Sequence, residues 1–203
     1  ETTMNPHNDY LGSSESRYAA SRLRGRCVVV CVWMILLGGI VATPSLSQEV
    51  IDRQKEYNLK AVFLYSFGKY ISWQDASANQ GDFVICVLGE SPITPKLKRV
   101  GSKRTLNGRK LRVEVVQWTD SPPNCHLLFV ASHVPVDEAA TLIEQVSHDT
   151  VVVGERRELL EKGASIIFFI DGASVRFELD HVSLQKKKIQ VDAKLQKLSR
   201  SPN

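Results

Sequence analysis

The residues of this chain best suited to chemistry are its five histidines and four cysteines. Their spacing assembles neither a metal site nor an activated nucleophile. His7, His126, His133, His148 and His181 lie apart. His126 and His133 stand seven apart, across an expected strand and its exit, which is not a spacing that closes around zinc. Cys125 and His126 are adjacent, so on a strand they point to opposite faces and cannot serve as a thiol and its base. The chain carries no G-x-G-x-x-G, P-loop or H-E-x-x-H and no G-x-S-x-G elbow. Its carboxylates are spread through expected helices and loops without forming an acid–base pair. No catalytic residue, metal site or cofactor is read from these patterns, and a non-enzymatic role is expected.

One segment does concentrate a single chemistry. KLKRVGSKRTLNGRKLR, residues 96–112, holds Lys96, Lys98, Arg99, Lys103, Arg104, Arg109, Lys110 and Arg112 and no acid. Such a run projects a positive field that suits a phosphate-bearing ligand, an acidic partner or anionic lipid. A solvated loop between a helix and a strand is the plainer reading. Nucleic acid is a poor partner for an exported protein, and no nucleic-acid-binding motif accompanies the run.

Export is read from residues 1–47. Arg17, Arg22, Arg24 and Arg26 precede the apolar stretch CVVVCVWMILLGGIVA, and Ser45 and Ser47 then stand at −3 and −1 before Gln48. A basic region, a short apolar core and a small-x-small site make a signal peptide, cleaved near Ser47. The apolar stretch is shorter than the roughly 20 residues of a bilayer span, so no span is expected after cleavage. Cys27 and Cys31 would leave with the leader. Cys86 and Cys125 would then be alone in an oxidising compartment, where pairing is expected; two buried, inert thiols are the alternative. Residues 48–203 carry 22 basic and 19 acidic side chains, too even a balance to name a partner.

The elements that must position these residues follow from periodicity. Residues 48–72 read as an amphipathic helix with Leu59, Val62, Phe63, Phe67, Tyr70 and Ile71 on one face. Trp73 falls at the edge of that face, and Tyr65 points away from it as a candidate partner contact. FVICVLGE reads as a strand covered on both faces. Ser91 and Pro92 open a short helix. RKLRVEVVQW and HLLFVA are strands, residues 136–147 a helix, TVVVG a strand, and ERRELLEKG a helix closed by Gly163. SIIFFI and SVRFEL flank a turn as an antiparallel hairpin, and the end from His181 to Arg200 is basic and largely helical. Strands alternating with helices predict a three-layer αβα domain over residues 48–203, with a mostly parallel sheet of five or six strands and an antiparallel edge hairpin. If the strand order is 2-1-3-4-5, the strand of Cys86 neighbours that of Cys125.

KAVFLYSFGKYISW, FVICVLGESPI, LNGRKLRVEVV, NCHLLFVASH and VVVGERRELLEKGASIIFFIDGASVRFEL, in that order, resemble the YfiR family of small periplasmic proteins, over residues 55–199. The resemblance implies a regulator without catalysis. It would bind the periplasmic sensor domain of an inner-membrane diguanylate cyclase or related sensor and inhibit it, with release tied to redox state or envelope stress. Cyclic di-GMP signalling and biofilm formation would follow. Cys86 and Cys125 match the family's cysteine pair; the second pair that members can carry is absent. Phe177-Glu178-Leu179-Asp180 stands where members often read Phe-Glu-Ile-Asn. The alternative is a periplasmic receptor for a nucleotide or amino acid, bound beyond the strand ends near Gly89-Glu90 and Gly154-Glu155. A second copy of the chain is the other partner left open.

Overall fold

The computed structural model describes residues 46–74, 80–119, 121 and 124–200, with side chains from Asp52 onward. The leader expected over residues 1–47 therefore lies, up to residue 45, outside the described residues. Helix α1 spans Leu46–Tyr70 and runs straight into a three-residue strand, β1 (Ile71–Trp73). Then come β2 (Phe83–Leu88), α2 (Ile93–Gly101), β3 (Thr105–Leu106), β4 (Arg109–Val116), β5 (Leu127–Val130), α3 (Val136–Gln145) and β6 (Val151–Gly154). A 3-10 turn at Arg157–Leu159, the hairpin of β7 (Ile166–Asp171) and β8 (Ser174–Leu179), α4 (His181–Lys186), β9 (Ile189–Val191) and α5 (Ala193–Leu198) complete the chain.

The main sheet has the order β3-β4-β2-β5-β6-β7-β8. β4, β2, β5, β6 and β7 run parallel, while β3 and β8 are antiparallel edges. Counted in chain order, the parallel strands follow 2-1-3-4-5, the doubly wound arrangement. The sheet has seven strands, one more than the longest expectation, because the two-residue β3 turns back on β4 through the positive-φ pair Asn107 and Gly108. β2, β5 and β6 are buried along their whole length, as strands covered on both faces must be.

Helix α1 shares one face of the sheet with α2. Phe67 is fully buried and meets Phe168 and Phe177 at ring-centroid distances of 5.7 and 5.0 Å, and half-buried Phe63 meets Phe177 edge-on at 5.2 Å. Gly68 lets the helix approach closely, since a Cβ there would stand 2.9 Å from both Leu106 and Phe83. The opposite face carries α3 and the 3-10 turn, whose Leu159 sits over Gly154 beside Ile167.

Three expectations are corrected. The buried stripe of α1 is Lys60, Ala61, Leu64 and Phe67, continued by Ile71 of β1, and it leaves Leu59 and Val62 39% and 52% exposed. The stripe is rotated because Lys60, a residue that marks a polar face, is buried in ion pairs. The segment after β6 forms a 3-10 turn and not a helix, Gly163 closing it at φ +98°. The C-terminal region is broken by β9, which pairs antiparallel with β1; strands of three residues are too short to show a period of two.

Phe67→Ala is expected to lower the unfolding free energy by about 3–5 kcal/mol. Val62→Ala, on the exposed side of the same helix, should change it by no more than about 0.5 kcal/mol. Urea unfolding followed by circular dichroism separates the two, and equal losses would overturn the rotated helix face.

Candidate functional site

The sheet places three groups of polar or reactive residues at separate positions: a disulfide near the N-terminal ends of the parallel strands, an ion-pair cluster at their C-terminal ends, and a basic edge.

Cys86 lies in the middle of β2, and Cys125 lies in the connection just before β5. They are joined as a disulfide with their Cα atoms 5.9 Å apart and stand 39 positions apart in sequence. The strand register sets Cys86 against Leu128, so this is no cross-strand pair. It ties the β4–β5 connection to the sheet. Both cysteines are buried. The Thr150 hydroxyl donates to the Cys125 carbonyl at 2.8 Å, and Lys187 Nζ donates to the Thr150 carbonyl at 2.8 Å. Burial pushes the Lys187 ammonium below its ordinary value, with Asp149 opposing that shift.

Beside the bridge, His126 stacks on Phe83 at 4.6 Å and meets Trp73 edge-on at 5.8 Å. The Val84 amide donates to His126 Nδ1 at 3.0 Å, and Trp73 Nε1 donates to the Asp149 carbonyl at 2.7 Å. Arg109 closes the group. Its guanidinium donates to the carbonyls of Gln80, Gly81 and Asp82 at 2.8–2.9 Å and touches His126 Nε2 at 2.8 Å. Burial lowers its pKa, and Asp82 opposes the change. A cavity of about 330 Å³ opens here, lined by Trp73, Asp82, Arg112, Cys125 and Asp149 among others.

At the other end of the sheet, Lys60 is buried between Glu56 and Glu155 and bonded to both, with its side chain 5% exposed and that of Glu155 6%. The second oxygen of Glu155 accepts the Ser132 amide at 2.9 Å, and the Lys60 ammonium lies over the Tyr57 ring at 5.0 Å. Burial works against the charge on Lys60, but the two carboxylates outweigh it and hold its pKa above the ordinary 10.5. One pair thus fastens α1 to the ends of β5 and β6. A cavity of about 460 Å³ adjoins it, lined by Tyr57, Lys60, Arg157, Phe168 and Glu178 among others. Nearby Gly89, at φ +80°, is held to glycine because a Cβ would meet Val134 at 2.7 Å.

The eight cations of residues 96–112 do not act as one group. Lys96 donates to Gln54 at 2.7 Å, Arg112 pairs with Glu114 at 2.8 Å, and Arg109 is drawn to the 80–82 carbonyls and His126. Lys98, Arg99, Lys103, Arg104 and Lys110 are exposed. Tyr65 does not stand outward as expected. Its ring packs against the core and its hydroxyl donates to the Thr105 carbonyl at 3.0 Å, because α1 is covered by β3 as well as by the central strands. The outward apolar positions are Leu59 and Val62. The sequence reading missed the Lys60–Glu155 pair, whose partners stand 95 residues apart; its one local signal was Glu56 four residues before Lys60.

Among the described residues no group of three or more His, Cys, Asp or Glu could hold a metal ion, and no helix is long and apolar enough to cross a membrane. The molecule is defined as a disulfide-bridged, doubly wound α/β domain with a pinned N-terminal helix and an exposed basic edge. The profile of the YfiR/HmsC-like family matches residues 57–200, and the chain belongs to that family of periplasmic regulatory proteins. No curated protein sequence matches the chain.

Lys60→Met leaves two carboxylates without their buried counter-charge and is expected to destabilise the domain by about 3–5 kcal/mol, with Lys60→Met/Glu155→Leu recovering part of the loss. Because the pKa of Lys60 is raised on folding, its contribution is complete below pH 10.5 and is lost as pH rises through the folded value. Urea titrations across alkaline pH read this directly; a variant as stable as the parent would refute the pinning role. Cys86→Ala/Cys125→Ala is expected to cost about 4 kcal/mol in the chain-entropy account, measured by the same titration under non-reducing conditions.

Proposed function

We propose that the protein is exported, that residues 48–203 work in the periplasm, and that this domain binds and inhibits a membrane-bound signalling protein, in the best reading a diguanylate cyclase. Membership of the YfiR/HmsC-like family carries the proposal. Docking, as opposed to catalysis, is supported by the exposed pair Leu59 and Val62 on the outer side of α1. Leu59 also lines a groove with Ile170 and Val175, residues of the β7–β8 hairpin. Interfaces draw their affinity from a few apolar anchors on a rigid support, and α1 is held rigid by the Phe cluster on one side and the Lys60 pairs at its middle. In this mechanism the face occupies the partner's periplasmic domain and holds it inactive. Reduction of Cys86–Cys125 frees the β4–β5 connection, loosens the domain and withdraws the restraint.

One observation favours a second reading. The cavity beside Lys60 and Glu155 lies beyond the carboxyl ends of β5 and β6 and falls in the size range of small-molecule sites. An amino acid or nucleotide received there makes the protein a receptor.

Deleting the gene is expected to raise cellular cyclic di-GMP, and Leu59→Glu/Val62→Glu should reproduce the rise while the protein remains folded by circular dichroism. Unchanged cyclic di-GMP on deletion, with no membrane protein co-purifying, overturns inhibition. A thermal-shift screen of nucleotides and amino acids tests the receptor. A ligand at a hundred times its Kd stabilises by about 2.7 kcal/mol, and a flat screen rejects it.

A further inference from the structure

We propose that the sheet edge formed by the C-terminal end of α2 and the β3–β4 hairpin binds the anionic surface of a phospholipid bilayer. The charge of this domain is strongly uneven. Residues 96–112 hold eight basic side chains and no acid, whereas the rest of residues 48–203 holds 14 basic and 19 acidic. The fold sorts the eight into two sets. Lys96, Arg109 and Arg112 bond to Gln54, to the 80–82 carbonyls and to Glu114. The other five are exposed along one boundary of the molecule. Lys98 and Arg99 lie in the last turn of α2. Lys103 and Arg104 follow where the chain folds back, their amides donating to the Val100 carbonyl. Lys110 is registered opposite Thr105 of β3, the outermost strand.

Local structural roles account for part of this set. Cations favour a helix C-terminus, and charge on an edge strand discourages pairing with other chains. One or two residues would serve each purpose; five on one boundary exceed both. The surface also lacks what a protein partner or a discrete ligand would use. None of the exposed large apolar side chains falls within residues 96–112, so there is no apolar anchor of the kind found at the centre of protein interfaces. Neither of the two cavities nor the groove beside Leu59 is lined by any of the five. A row of long, mobile cations on an open edge fits an extended plane of negative charge. The proposal does not depend on the identity of the signalling partner, and the basic edge is a different surface from Leu59 and Val62.

The test uses protein purified from the cell envelope after export. It is sedimented with phosphatidylcholine vesicles and with vesicles containing phosphatidylglycerol. Vesicles of neutral lipid measure whatever any retained N-terminal apolar segment contributes. One variant carries Lys98→Gln, Arg99→Gln, Lys103→Gln and Arg104→Gln. A control of equal net charge carries Lys162→Gln, Lys186→Gln, Lys194→Gln and Lys197→Gln, all exposed in the parent. The parent should bind the anionic vesicles more tightly than the neutral ones, and added salt should remove the difference. Each cation lost from the edge should weaken that excess binding about fivefold, so the first variant should lose on the order of several hundredfold and the control far less. Equal binding to both vesicle types, or equal losses in variant and control, overturns the proposal. So does retention by an acidic membrane protein in detergent without vesicle binding, which assigns the edge to a protein.

Discussion

A parallel sheet must be covered on both faces, and this chain has too few crossover helices to do it. Helix α2 covers the step from β2 to β4, and α3 the step from β5 to β6. The step from β4 to β5 carries no helix among the described residues, and the step from β6 to β7 has only a 3-10 turn. Two substitutes meet the requirement. On the α2 face, α1 arrives before the first strand of the sheet and lays Phe63 and Phe67 against Phe168 and Phe177. On the other face, to which Cys86 of β2 points, Cys125 brings the β4–β5 connection to the sheet through the disulfide. A helix would hold such a connection by burying an apolar stripe. A loop has no stripe, so a covalent bond with Thr150 beneath it does the same work.

The same shortage explains what was legible in the sequence. Buried strands such as FVICVL and LLFV announce themselves by unbroken apolar runs, and the alternation of strand and helix fixed the doubly wound class. The face of α1 did not announce itself. Periodicity assigns a lysine to solvent, and Lys60 is an exception that only Glu155, far along the chain, makes tolerable. Once Lys60 turns inward, Leu59 and Val62 turn out and Tyr65 reaches β3. β1 and β9 were hidden because they are short and pair with each other across almost the whole domain. Their register places Trp73 beside Phe83 and His126, an arrangement no local pattern encodes.

The basic segment shows the limit of counting charges. Eight cations in 17 positions look uniform, yet β4 alternates faces and the hairpin bends the chain. Arg109 is carried to the carbonyls of the 80–82 loop, whereas Lys110, one residue on, faces solvent. A guanidinium suits that task because its fixed fork of donors can satisfy several carbonyls at once. The residue that looked like part of a surface field is a strut between the 80–82 loop and His126, the neighbour of Cys125.

These placements bear on how a domain of this kind regulates. An inhibitor that works by docking must present its face at a fixed angle. The outward side of α1 is backed by aromatic packing and by the Lys60 pairs, and its position relative to the sheet is therefore set by interactions that do not involve Leu59 or Val62. The disulfide lies at the opposite ends of the strands from those pairs. Breaking it would loosen the β4–β5 connection and the Trp73–His126–Arg109 group first, and β1, which follows α1 directly and carries Trp73, is the element through which that loosening reaches the helix. Coupling between the bridge and the proposed docking face thus has a short physical path through one three-residue strand. Such a path transmits a change only if β1 can release β9, and those two strands form a three-residue, two-stranded sheet of their own with no third strand beside it to hold the pairing.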